Sequence, residues 1–131
     1  SGVVAIDTNV LVRLLVSDNP AQSKASQKLF ASETIFISDT VLLETEWVLR
    51  AAFALKPDDI CTAFRRVCGL PNVTLHDGHL VAQVIEWHEA GFDFADAFHL
   101  ALSIHQEAFK TFDADLIKHA KKHTDHRVER P

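Results

Sequence analysis

Short β-type runs alternate with longer helical patterns from one end of this chain to the other, and that alternation restricts the fold more than any other feature. The strand candidates lie at 3–6, 34–37, 73–75, 110–112 and 127–129. Helical stretches lie at 8–17, 20–32, 39–55, 57–69, 78–90, 94–108 and 114–122. Pro20 and Pro57 stand where helices start, and Gly69 and Gly91 where helices should stop. The first two strands are apolar throughout, as expected when helices cover both faces of a parallel sheet. The expectation is an α/β fold, a three-layer α/β/α domain built from βα units. With 131 residues, a single domain over 1–131 is expected.

Acidic residues fall at informative places in this plan. Asp7 follows the apolar run Val3-Val4-Ala5-Ile6, and Asp113 and Asp115 follow Phe109-Lys110-Thr111-Phe112. Glu44 and Asp96 interrupt segments that are otherwise apolar and helical. Ligands of open α/β sheets bind beyond the carboxyl ends of the strands, where Asp7 and Asp113 stand. Two carboxylates about 4 Å apart repel by roughly 4 kcal/mol at an effective dielectric of 20. A cluster therefore calls for raised pKa values or a hard cation, and all-oxygen ligands suit Mg²⁺ or Mn²⁺.

Each acid also has a structural role open to it. Asp7 and Asp113 precede helices, and for either taken alone the N-cap reading is favoured. Asp93 can cap a helix with Asp96 at its third position. Asp115 can be a first-turn acid stabilised by the helix dipole. Glu44 has Thr40, Val41, Trp47 and Val48 three and four residues away, none able to pair with a charge. Glu46 has Arg50 at i+4 and reads as an ordinary surface pair. Glu44 is thus placed on a core-facing stripe and preferred to Glu46 as a ligand. Convergence of all these acids on one sheet edge is what the separate structural roles leave unexplained.

Several function classes fall away. There is no phosphate-cradling glycine loop, no Gly-x-Ser-x-Gly elbow and no Cys-x-x-Cys pair. Cys61 and Cys68 are seven apart in one helical stretch, about 10 Å along the axis, which is too far for a disulfide. His119 and His123 have i, i+4 spacing without a zinc motif around them and read as surface residues. His76 and His79 flank Asp77 at a helix start and read as capping residues, and His99, one turn beyond Asp96, touches substrate or packs. The net charge of −5 is unusual for a nucleic-acid binder, but Lys118, Lys121, Lys122, Arg127 and Arg130 gather near the C-terminus. No run approaches a membrane span and no signal-peptide pattern opens the chain, so the cytoplasm is expected. Ser1-Gly2, in a chain without methionine, reads as an expression remnant.

The motifs resemble those of PIN-domain ribonucleases. Asp7-Thr8-Asn9 is similar to that family's opening motif. The stretch Ile37-Ser38-Asp39-Thr40-Val41-Leu42-Leu43-Glu44 is similar to its second-acid segment. Phe92-Asp93-Phe94-Ala95-Asp96-Ala97-Phe98-His99-Leu100-Ala101 resembles its third, and Thr111-Phe112-Asp113-Ala114-Asp115-Leu116 its last. Length and build resemble the VapC toxins of bacterial and archaeal toxin–antitoxin pairs. The resemblance implies a parallel five-stranded sheet between helices and a homodimeric endoribonuclease held inactive by a VapB-type antitoxin.

Carried over, Asp7, Glu44, Asp96 and Asp113 are the metal-binding acids, Asp115 is an additional acid competing with Asp113, and Thr8, Asn9, Ser38 and Thr111 support them. The expected reaction is hydrolysis of an RNA phosphodiester assisted by one or two Mg²⁺ or Mn²⁺ ions. Arg13, Arg50, Lys118, Lys121 and Lys122 are candidate RNA contacts. The rival readings are a non-catalytic module whose acidic pocket docks a basic peptide, and a phosphotransferase with Asp7 as nucleophile. The second usually wants another Asp where this chain has Asn9.

Overall fold

A computed structural model describes residues 2–131, so Ser1 of the expected N-terminal remnant lies outside it. Two compact units form, one running to Gly78 and the other from His79 to Pro131.

In the first unit β1 (Val3–Ala5) leads into α1 (Thr8–Leu15) and α2 (Pro20–Ser32). Next come β2 (Thr34–Ile37), α3 (Asp39–Ala51), α4 (Pro57–Cys68) and β3 (Val73–Leu75). The starts of α1, α2 and α3 are set locally: Asp7, Asn19 and Ser38 accept hydrogen bonds from the amides of Val10, Gln22 and Val41. Pro20 and Pro57 occupy the first turns of α2 and α4, where a missing amide costs nothing.

The three strands are parallel, with β2 central, and β1 pairs in register Val3↔Thr34 while β3 pairs Val73↔Ile35. Ile35 and Ile37 are fully buried, together with Leu11 and Val12 of α1, Leu42 of α3 and Phe64 of α4. β2 buries Ile35 and Ile37 on one face and half-buries Thr34 and Phe36 on the other, whereas Val3 and Ala5 of β1 are exposed. Asn72 joins the layers, its side-chain amide donating to the carbonyls of Phe30 (2.7 Å) and Glu33 (2.8 Å).

The expected helix 39–55 ends early, at Ala51, because the chain turns with Ala54 in the left-handed region at φ 53°. The inward phase of α3 also differs from expectation. Leu42, Thr45, Glu46 and Leu49 form the buried i, i+3, i+4, i+7 stripe. Glu46 is only 3% exposed, whereas Glu44 is exposed and Trp47 is 60% exposed. The surface pair and the buried acid are therefore exchanged relative to the sequence reading. Only the packing partners of α3 decide which of two adjacent apolar stripes turns inward.

The second unit takes α5 (Gly78–Glu89) from its second residue onward, continues with α6 (Phe94–Leu102), and ends with β4 (Phe109–Lys110), α7 (Ala114–His123) and β5 (Val128–Glu129). Gly91, at φ 115°, closes α5: its amide donates to the His88 carbonyl and that of Phe92 to the Trp87 carbonyl, a backbone path that favours glycine. Phe94 and Phe98 meet edge to face at 5.4 Å, and His88 packs against Phe94 with its Nδ1 bonded to the Phe92 carbonyl at 2.7 Å. His119, read as a surface residue, is half-buried and lies against the Phe92 ring, with ring centres 5.4 Å apart.

The α6 helix stops well before 108, where Ser103 turns its hydroxyl back to the His99 carbonyl. β4 spans Phe109–Lys110 rather than 110–112, and beyond it the Thr111 hydroxyl accepts the Asp113 amide as the chain turns toward α7. β4 and β5 pair in parallel, and the facing residues Lys110 and Glu129 are ion-paired at 2.9 Å. All five expected strands are present and all pairs are parallel. They hydrogen-bond as a three-stranded and a two-stranded ladder rather than one five-stranded ladder, with β4 and β5 contributing two residues each.

Cys61 and Cys68 on α4 form no disulfide, as their spacing required. Burial pushes the Cys68 thiol up to about 11. Iodoacetamide at pH 8 is therefore expected to label Cys68 about 100-fold more slowly in the native protein than in guanidinium, read by mass spectrometry. Equal native and denatured rates would contradict this environment.

Candidate active site

In the first unit the site is built at the end of β1. Asp7 caps α1, its Oδ1 accepting the Val10 amide at 3.2 Å, and its side chain stays exposed. Thr8, the first residue of α1, donates its hydroxyl to Glu44 Oε1 at 3.1 Å. This one bond ties the acid of α3 to the residue next to Asp7, across 36 positions of sequence. Glu44 is thus brought to the candidate site from an exposed face, not from the apolar face that the sequence reading gave it. Ser38 caps α3 and shares its hydroxyl with Thr40 at 3.0 Å, so it shapes the helix start that carries Glu44.

Arg13 sits one and a half turns further along α1. Its Nη1 donates to both Asp18 oxygens, at 2.7 and 2.8 Å, and its Nε to Gln22 Oε1 at 2.7 Å. An open cleft of about 310 Å³ lies here, lined by Asp7, Asn9, Arg13, Gln22 and the α2 residues Ala25 and Ser26. The sequence reading missed Gln22, although Asn-Pro-x-Gln at 19–22 marks a helix start and so fixes where that side chain stands.

In the second unit Asp93 caps α6 through the Asp96 amide at 3.1 Å, and Asp113 caps α7 by accepting the amides of Asp115 and Leu116. Burial raises the Asp96 carboxyl above the ordinary carboxylate range, the charges of Asp93 and Asp113 raise it further, and His99 opposes them. Asp115 is not among the charges acting on Asp96; its carbonyl instead accepts from His119 Nδ1 at 2.7 Å. Asp113 is thus the acid of α7 whose charge is felt at Asp96. Thr111 positions Asp113 by accepting its amide at 3.0 Å.

Of the basic candidates, Arg13 and Arg50 are engaged, the latter with Glu46 at 2.9 Å. Lys118, Lys121 and Lys122 project from the exposed side of α7, opposite Leu116 and Ala120.

Among the described residues no three His, Cys, Asp or Glu side chains gather into one metal-holding group. Mg²⁺, however, keeps several waters and is commonly held by one or two carboxylates. The acids available in each unit, Asp7 and the Thr8-bound Glu44 in the first and Asp96 and Asp113 in the second, offer oxygen donors only. The donor chemistry fits a hard divalent cation.

Residues 4–122 match the PIN domain family. The chain belongs to the PIN-domain family. That match runs through every motif segment described above and through both compact units. No curated protein matches this PIN-domain chain. Among solved structures it is similar to VapC20 of Mycobacterium tuberculosis, a toxin that cleaves the sarcin-ricin loop. The two share 20% identity over 89% of this chain and 94% of that one, with a TM-score of 0.46. No helix among the described residues is long and apolar enough to cross a membrane.

Proposed function

We propose that this PIN-domain protein is a divalent-metal-dependent endoribonuclease, a VapC-type toxin restrained by a VapB-type antitoxin and acting as a cytoplasmic homodimer. The observation that carries the reading is Asp96, an acid held half-buried beside two further carboxylates, an arrangement that a bound cation would relieve. The Thr8–Glu44 hydrogen bond beside Asp7 supports it from the other acidic segments. PIN-family membership supplies the reaction class.

In this reading Asp7 and Asp96 are direct ligands of Mg²⁺ or Mn²⁺. Glu44 holds a second ion or orients the attacking water, and Asp113, with Asp115 beside it, completes the acidic set. Thr8 keeps Glu44 in place and Thr111 keeps Asp113 in place. Asn9 and Ser38 act as supporting groups, Ser38 by fixing the start of α3. The bound cation supplies Lewis acidity, lowering the pKa of water and offsetting charge on the phosphodiester. Lys118, Lys121 and Lys122 contact RNA phosphates, joined by Arg50 to the extent that Glu46 releases it, and Arg13 contacts RNA from the cleft between α1 and α2.

Purified protein incubated with total RNA is expected to give discrete fragments with Mg²⁺ or Mn²⁺ and none with EDTA or in Asp7→Asn. Metal-independent cleavage, or equal cleavage by the variant, would reject the assignment. A folded, antitoxin-free protein that cuts nothing but binds a basic peptide through these acids would establish the docking-module reading instead.

A further inference from the structure

We infer that the cleft between α1 and α2 is a nucleobase subsite that prefers guanine to adenine. The cleft's volume of about 310 Å³ is at the small end of ligand sites and suits one base with its sugar. Its walls are fixed. Ser26 donates to the Val10 carbonyl at 3.0 Å and Ser23 to the Val16 carbonyl at 3.2 Å; both serines are buried, so α2 is clamped along α1.

The polar groups are preset as well. Arg13 is held by Asp18 and Gln22 using Nε and Nη1, which leaves the N–H groups of Nη2 outside these contacts. Gln22 accepts from Arg13 through Oε1, which fixes its amide orientation and leaves its NH₂ as a donor. Two donors therefore stand together on a rigid wall, with Ala25 and Val10 as apolar surface beside them.

Charge decides what kind of ligand this wall takes. Asp18 cancels the Arg13 charge, and Asp7 leaves the cleft with a net negative charge. A phosphate is repelled there, whereas the neutral edge of a base is not. Paired donors match adjacent acceptors, which guanine presents as O6 and N7. Adenine sets an N6 donor beside its N7, so one of the two protein donors goes unanswered. The use of this subsite, reading a base near the scissile bond, rests on the ribonuclease proposal. Its binding chemistry does not.

The test is amide chemical-shift titration of the ¹⁵N-labelled protein in EDTA with guanosine, inosine and adenosine monophosphates. These share the ring system, sugar and phosphate, so a difference isolates the base edge. Guanosine and inosine monophosphates are expected to shift the amides of Asn9, Val10, Arg13, Gln22 and Ala25 about tenfold more tightly than adenosine monophosphate.

Gln22→Glu keeps an acceptor for Arg13, and so keeps the clip, but loses the amide donor. The preference should disappear in that variant with the melting temperature unchanged. Equal binding of the three nucleotides, shifts elsewhere or nowhere, or a preference that survives Gln22→Glu would overturn the subsite. A guanine preference in a protein that fails to cut RNA would sink the nuclease reading and leave the subsite standing. Metal-dependent cleavage without the preference would do the reverse.

Discussion

Asp96→Asn is expected to lower metal-dependent RNA cleavage by roughly 10³-fold, the loss of about 4 kcal/mol of transition-state stabilisation. The same change should slightly stabilise the metal-free protein. Asp96 is pushed above the ordinary carboxylate range by its burial first, then by Asp93 and Asp113. With a folded-state value above the unfolded one, the folded protein holds this proton more tightly. The contribution is present at acidic pH and is lost as the pH rises through the folded-state value, so at neutral pH the ionised acid costs stability. Because the group is partly open to water, that cost is small, a few tenths of a kcal/mol. Thermal melts in EDTA should show the variant level with or above the parent at pH 7 and the parent gaining ground as the pH falls toward 4. Added Mg²⁺ should raise the parent's melting temperature more than the variant's. A variant that cleaves normally, or one that melts far below the parent, would remove Asp96 from the site and make it a structural cap neighbour.

Arg50→Ala should have the largest effect on stability, about 2 kcal/mol, or roughly 8 °C in melting temperature. Glu46 is buried, and Arg50 answers it with Nε at 2.9 Å to one oxygen and Nη2 at 3.5 Å to the other. Removing the guanidinium leaves a buried carboxylate without this partner. The expected loss is below that of a fully enclosed pair because the Arg50 side chain is half exposed. Replacing both residues by methionine should recover most of the loss, since an apolar pair of similar volume carries no desolvation cost. Glu44→Gln should do the opposite: melting unchanged, cleavage strongly reduced. If Glu44→Gln unfolds the protein and Arg50→Ala does not, the assignment of these two helical acids is reversed.

That contrast shows where the sequence stops being legible. Glu44 and Glu46 lie two residues apart in a helix whose both flanks carry apolar residues, and periodicity alone admitted either stripe as the inner one. The packing of α3 in its unit made Leu42, Thr45, Glu46 and Leu49 the buried set. The Thr8–Glu44 bond depends on that choice, because it needs Glu44 outside the core. Asp113 and Asp115 could not be separated along the chain for a similar reason. What distinguishes them is that the charge of Asp113 acts on Asp96, a relation between residues on separate helices that the chain order does not show.

By itself the sequence determined what depends on neighbouring residues. Helix α2 at 20–32 and strands β2 at 34–37 and β3 at 73–75 fall where expected, because Asn19-Pro20 starts a helix and short β-branched or aromatic runs between turn residues start strands. The capping roles of Asp7, Asp93 and Asp113 followed from the same local chemistry. Tertiary structure alone decided the pairing of the strands into ladders, the exposure of β1 and the inner face of α3. It also made the α1–α2 cleft, whose Arg13–Asp18–Gln22 clip joins side chains across a turn. Caps and turns are fixed by amides within four residues, whereas burial and side-chain convergence are fixed by partners that only the folded chain brings near.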